Sequence, residues 1–178
     1  MPTFLFDSIV FGPVNSRRLG ISLGINLLPV TRKVCSFNCI YCECGWTPGK
    51  PKPGEMLPSR YEVYEALRNK LSEMKDQGKA PDVITYAGNG EPTLHPDFAG
   101  IIDDSLALRD EFFPDAKVSV LSNGSMLRRK SVREALKKVD QNMLKLDSAL
   151  ADTVRQLNQP HVKTDLGKFE DYAREFDG

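Results

Sequence analysis

The chain has no net charge, no long apolar run and no paired Cys-x-x-Cys knuckles. Lys and Arg number 24 and Asp and Glu number 24 among 178 residues, so global charge gives no reason to expect a nucleic acid or a membrane surface as partner. No apolar stretch approaches the roughly 20 residues that a bilayer-spanning helix needs. The opening residues MPTFLFDSIVF are interrupted by Asp7 and lack the basic start and small-residue cleavage site of a secretory signal. A cytoplasmic protein is expected, and in that reducing compartment clustered cysteines more often bind metal or do redox chemistry than form disulfides.

What is present is the composition of an ordinary globular protein, 40% hydrophobic, with enough length to bury a core as one domain spanning 1–178. From about residue 19, short β-type runs alternate with amphipathic stretches. ISLGINLLPV (21–30), DVITYAG (82–88), KVSVLSNG (117–124) and MLKLD (143–147) read as strands. Between them lie helices over 59–77 and 97–113, the first opened by Ser59 and Glu62 in capping-box spacing, and a third opened by Ser131 and Glu134. A brief helix near 151–158 and a last one over 165–177 follow. GWTPGKPKPGEMLP (45–58) reads as an extended loop rather than a joint between domains. The basic stretch 126–145, with Arg128, Arg129, Lys130, Arg133, Lys137, Lys138 and Lys145 against Glu134 and Asp140, is either a solvated helix face or a surface for an anionic partner.

Alternating strands and helices of these lengths imply right-handed βαβ units and a parallel α/β sheet. Ligands in such sheets sit at the carboxyl ends of the strands. The cysteine loop, GNGEPTLHP, SNG, and Asp147 with Ser148 all fall there.

Three of the four cysteines lie in CSFNCIYC, Cys35 to Cys42. A structural zinc would need a fourth ligand to close its shell, and Cys44 is awkwardly close to Cys42 to supply it. An iron–sulfur cluster normally takes four cysteines; three in a compact loop are consistent with a cluster that keeps one iron open for a ligand.

The C-x3-C-x2-C loop after the first strand, with an aromatic residue before the third cysteine, resembles the radical S-adenosylmethionine (radical SAM) superfamily, and GNGEP after the second strand is similar to its Gly-Gly-Glu motif. GPVNSRRLG, LGINLLP, CSFNCIYCECG and GNGEPTLHP resemble the branch of Fe–S oxidoreductases related to the tRNA wybutosine synthases. The resemblance runs from about residue 11 to 160. It implies that Cys35, Cys39 and Cys42 ligate three irons of a [4Fe-4S] cluster whose fourth iron chelates S-adenosyl-L-methionine. It places the backbone of Tyr41 at the adenine, Gly88, Asn89, Gly90 and Glu91 at the methionine amino group, and Ser122, Asn123, Lys145 and Asp147 at the ribose or carboxylate. It implies an oxidoreductase-type enzyme that reductively cleaves the cofactor to a 5′-deoxyadenosyl radical, which abstracts hydrogen from a substrate; a tRNA base and a protein glycine are the two candidates, and an electron donor is required. The alternative is a non-catalytic iron–sulfur or zinc-binding regulatory module. The bland readings stand beside these: Cys44 as a small filler, His95 as a helix cap, and Arg17 and Arg18 as either solvated or within reach of the anionic cofactor rim.

The family core has six β/α units, whereas four strands are read here. The expectation is therefore a partial (β/α) barrel of about four units, whose open edge is covered by further chain, a partner or a second copy.

Overall fold

The first strand after residue 19 ends where its last side chain turns on its own backbone. In a computed structural model, which describes residues 4–48 and 56–176, strand β2 covers Gly20–Ile25 and stops at Asn26. The fully buried Asn26 amide donates to Leu28 O and accepts from Leu28 N, an Asx-type turn that competes with the ladder. Strand β3 is Val83–Tyr86, β4 is Lys117–Ser122 and β5 is Gln141–Leu144, each parallel to the one before it.

A further strand, β1 at Val10–Ser16, pairs antiparallel with β2 and occupies the outer edge of the five-stranded sheet. It carries Pro13, whose missing N–H is tolerated on an edge, and a bulge between Phe11 and Val14. Proline and bulge together erase the two-residue alternation by which a strand is read. The β1–β2 turn, which holds Arg17 and Arg18, lies at the amino end of β2. Both arginines are therefore exposed at the end of the sheet opposite the carboxyl rim, which fits the solvated of their two readings and not reach to the rim.

The connecting helices bury one stripe each. Helix α1, Arg60–Asp76, begins at the reciprocal capping box expected from Ser59 and Glu62 and buries Val63, Leu67, Leu71 and Met74. Helix α2, Phe98–Phe112, buries Phe98, Ile101, Ile102 and Leu108. Helix α3, Lys130–Leu136, is capped otherwise than expected: its N-cap is Arg129, with no side-chain cap bond, and Ser131 lies inside the helix. A turn over 124–129 runs directly into it, so that Val132 N and Arg133 N both donate to Arg129 O, leaving no donor that a Ser131 cap would serve. Helices α4, Ala151–Asn158, and α5, Leu166–Ala173, complete the described chain. The 45–58 loop is described only at its ends, since 49–55 lie outside the described residues.

The helices α1, α2 and α3 meet Leu23, Ile25, Ile84, Tyr86, Val118 and Val120 in a single core. The other face of the sheet carries Ser22, Thr85 and Ser119, all buried, with Ser22 and Thr85 hydroxyls 2.8 Å apart. This is the polar inner face of an incomplete barrel: the sheet does not close, and β5 is its outer strand. Among the described residues no helix is long and apolar enough to cross a membrane.

Candidate functional site

Every parallel strand delivers its following loop to one rim, and the cysteine loop closes over it. Val34 pairs with Gly90 as an isolated parallel bridge, with Val34 N donating to Asn89 O at 2.8 Å and Glu91 N to Val34 O at 3.1 Å. The approach is close enough to demand glycine. A Cβ on Gly90 would lie 1.8 Å from Val34 O, and Gly90 has φ +141°, a region essentially restricted to glycine. On its far side the loop is tied to the end of α4: Asn38 N donates to Asn158 O and Ile40 N to Leu157 O, each at 2.9 Å.

Each cysteine sits in its own polar nest. Cys35 Sγ accepts from Phe37 N at 3.4 Å and from Asn123 Nδ2 at 3.6 Å. Burial pushes the Cys35 thiol up to about 11. Cys39 Sγ accepts from Asn158 Nδ2 at 3.4 Å. Cys42 lies two residues from Cys44, whose single thiol hydrogen is within reach of Gly88 O at 3.5 Å. The hydrogen bond from Cys44 holds the Cys42 thiol down at about 5, aided by the Lys33 charge, and the same pairing pushes Cys44 up. Cys44 thus does more than fill space, since its thiol also ties the cysteine loop to Gly88 O.

The GNGE segment is held from behind. Asn89 is fully buried; its amide donates to Phe6 O at 2.8 Å and Pro29 O at 3.0 Å and accepts from Phe6 N at 2.8 Å. The side chain therefore anchors the N-terminal segment, and the backbone of Gly88 to Gly90 is what faces the cysteine loop. Glu91, 2% exposed, accepts from Thr93 N at 3.1 Å, Thr93 Oγ1 at 2.5 Å, Ser122 Oγ at 2.8 Å and Asn123 N at 2.7 Å. Burial pushes its carboxyl up, against the pull of those donors. Its carboxylate is committed to the protein, locking the loop after β3 to the loop after β4. His95 does not cap α2 as expected: the N-cap is Asp97, with no side-chain cap bond, and His95 ties the turn before it, Nδ1 accepting from Asp97 N at 3.1 Å, with Nε2 2.8 Å from Pro58 O.

At the end of β5, Asp147 gathers Tyr41, Asn158 and Lys145; the Lys145 ammonium is 2.5 Å away and Tyr41 Oη and Asn158 Nδ2 are hydrogen-bonded. Against the cost of partial burial, Lys145, Tyr41 and Asn158 hold the Asp147 carboxyl below the usual carboxylate range. The expected strand 143–147 ends at Leu144, which frees Lys145 and Asp147 for this network. Sequence reasoning missed Asn158 and Lys33; the only hint of the former was a polar residue closing a helix before Gln159-Pro160. Beside the network a cavity of about 280 Å³ is lined by Phe37, Asn123, Lys145, Asp147, Asn158 and Phe169, among others. The basic stretch 126–145 is paired in part: Arg133 and Lys137 meet Glu175, and Lys138 meets Asp103.

The donor set can be tested against the group it would hold. Among the described residues no three His, Cys, Asp or Glu side chains converge as ligands of one ion. Ligands sharing a zinc at about 2.3 Å must crowd together, whereas thiolates bound to separate irons of a cluster stand farther apart. Three thiols on one loop, two of them receiving N–H donors as cluster-bound sulfurs do, fit a cluster.

The fold is a partial parallel α/β barrel that carries three cysteines on the loop after its first parallel strand. The chain belongs to the radical SAM superfamily, whose family model matches residues 30–165. It is 38% identical to a UPF0026 protein of Helicobacter pylori over 161 residues, 90% of this chain and 49% of that protein. It is 36% identical to the protein named GTPase Obg of Brachyspira hyodysenteriae over 94% of this chain and 23% of that protein. The chain therefore spans about half, or less, of the length of these curated relatives. Among solved structures, archaeal TYW1 has the same fold, with a TM-score of 0.50 and 16% identity over 88% of this chain and 52% of the other.

Proposed function

We propose that this chain is the cysteine-bearing part of a radical SAM enzyme, with Cys35, Cys39 and Cys42 as ligands of a [4Fe-4S] cluster and S-adenosylmethionine completing the open iron. The observation that carries this reading is the close approach of the Gly88 to Gly90 backbone to the cysteine loop, which leaves peptide groups, rather than side chains, beside the thiols. The chemistry supplied by a bound cluster is one-electron reductive cleavage of S-adenosylmethionine to methionine and a 5′-deoxyadenosyl radical, for hydrogen abstraction from a substrate. The chain's own part is to bind and orient. The Gly88 to Gly90 backbone offers peptide groups to the methionine amino group. Glu91 fixes Ser122 and Asn123 for the ribose side without itself touching the cofactor, a narrower role than its place in the motif implies. Tyr41, held by Asp147, presents its backbone to the adenine, and the adjoining cavity receives the remainder of the cofactor or the substrate, shielded from water.

The electron donor and substrate belong to the whole protein. The internal pairing of Arg133, Lys137 and Lys138 lowers the weight of the 126–145 stretch as a tRNA surface. A reducing cytoplasmic setting keeps the loop thiols available for iron. Anaerobic reconstitution followed by reduction with S-adenosylmethionine tests the reading: about four irons per chain and formation of 5′-deoxyadenosine are expected. Iron uptake without 5′-deoxyadenosine points to the non-catalytic module, and zinc uptake in place of iron overturns the cluster.

A further inference from the structure

A lysine lies buried among the cysteines. Lys33, two residues before Cys35, is 2% exposed, a position lysine rarely takes unless its charge is paired. Its Nζ donates to Gly45 O at 2.8 Å, and among the described residues no carboxylate pairs with it. Glu91, whose N–H donates to Val34 O beside Cys35, has its oxygens occupied by Thr93, Ser122 and Asn123. What the ammonium meets is the cysteine loop itself: Gly45 directly follows Cys44 and its N–H donates to Cys42 O at 3.0 Å, so the buried charge is enclosed between the segment before Cys35 and the turn after Cys42. A neutral amide would hold Gly45 O without the cost of burying a charge, so that hydrogen bond alone does not account for lysine here.

We propose that Lys33 is the built-in counter-charge of the iron–sulfur cluster, a positioning residue that favours thiolate ligation and raises the cluster's reduction potential. The inference rests on the ligand assignment of Cys35, Cys39 and Cys42. Ligation requires three deprotonated sulfurs, which bring negative charge into a partly buried loop. An electron added to the cluster deepens that charge, and a cation fixed nearby in low dielectric stabilises the reduced form more than the oxidised one.

The test uses the 178-residue chain with Lys33→Gln, Lys33→Met and Lys33→Arg, reconstituted anaerobically beside the unsubstituted chain and Cys39→Ala. Iron per chain and the midpoint potential, from a dye-mediated titration followed by electron paramagnetic resonance, are measured together with denaturant unfolding of the iron-free forms. The Gln and Met variants are expected to unfold near the unsubstituted midpoint, to retain several-fold less iron through gel filtration and to show a potential shifted negative, with Arg close to the parent. Unchanged potential and iron in both neutral variants overturns the role of Lys33 while leaving the ligands standing. Neutral variants that are unfolded before iron is added also overturn it, since the charge then serves the iron-free fold. If the unsubstituted chain takes up no more iron than Cys39→Ala, the ligand assignment fails, and the Lys33 role with it.

Discussion

The Ser122 hydroxyl donates to Glu91 Oε1 at 2.8 Å, joining the ends of β3 and β4 through a carboxylate that is itself 2% exposed. The same carboxylate takes the backbone N–H of Asn123 on its other oxygen at 2.7 Å. Replacing Glu91 by Gln sets an amide NH2 against one of these donors and leaves a buried N–H or hydroxyl unpaired. A loss of about 1–3 kcal/mol in stability is expected from denaturant unfolding of the iron-free chain. A Gln variant as stable as the parent would falsify the structural role.

Gly90 tolerates no side chain. With φ +141° and Val34 O only 1.8 Å from where a Cβ would stand, Gly90→Ala must push the cysteine loop off the sheet or strain the backbone by about 1–3 kcal/mol. Thermal unfolding should register the loss, and the amide protons of Val34 and Glu91, which bridge the two segments, should exchange faster.

Asp147 organises the opposite side of the loop. Its removal as Asp147→Ala frees Tyr41 and Asn158 and loosens the attachment of α4. Faster hydrogen exchange is expected at Asn38 N and Ile40 N, which donate to Asn158 O and Leu157 O, with global stability lowered by about 1 kcal/mol. Exchange at Val118 and Val120 in β4 should rise only by the roughly fivefold that the loss of global stability allows, and by less than at Asn38 and Ile40.

The thiols of the iron-free chain should separate by pH. Cys42, held at about 5 by Cys44 and Lys33, should react with iodoacetamide at a rate nearly constant from about pH 9 down to about 6, since the thiolate is the nucleophile. Cys35, raised to about 11 by burial, should stay unlabelled until strongly alkaline pH. Because the Cys42 pKa is depressed on folding, it contributes stability that is fully present above the ordinary value of 9 and is lost as pH falls through about 5. Mass-spectrometric mapping of the labelled cysteines checks the order, and the Cys44→Ala variant should raise the pH at which Cys42 begins to react.

The sequence by itself determined the four parallel strands that follow one another through helices, because their buried runs and the Ser59 capping box are local signals that tertiary packing agreed with. It also determined that the three cysteines, the GNGE segment and Asn123 would share one rim, since parallel strands leave no other place for the loops that follow them. Tertiary structure decided what those residues do there. Asn89 and Glu91 read as a ligand-binding motif, yet their side chains are turned into the protein, towards Phe6 and Ser122; only long-range packing could commit them so. Edge strand β1 was hidden by Pro13 and its bulge, because an edge needs no regular ladder on its outer side. Lys33 and Asn158 carried no pattern at all, since their significance is a burial and a distance, and both exist only once the cysteine loop has closed over strands and a helix brought from far along the chain.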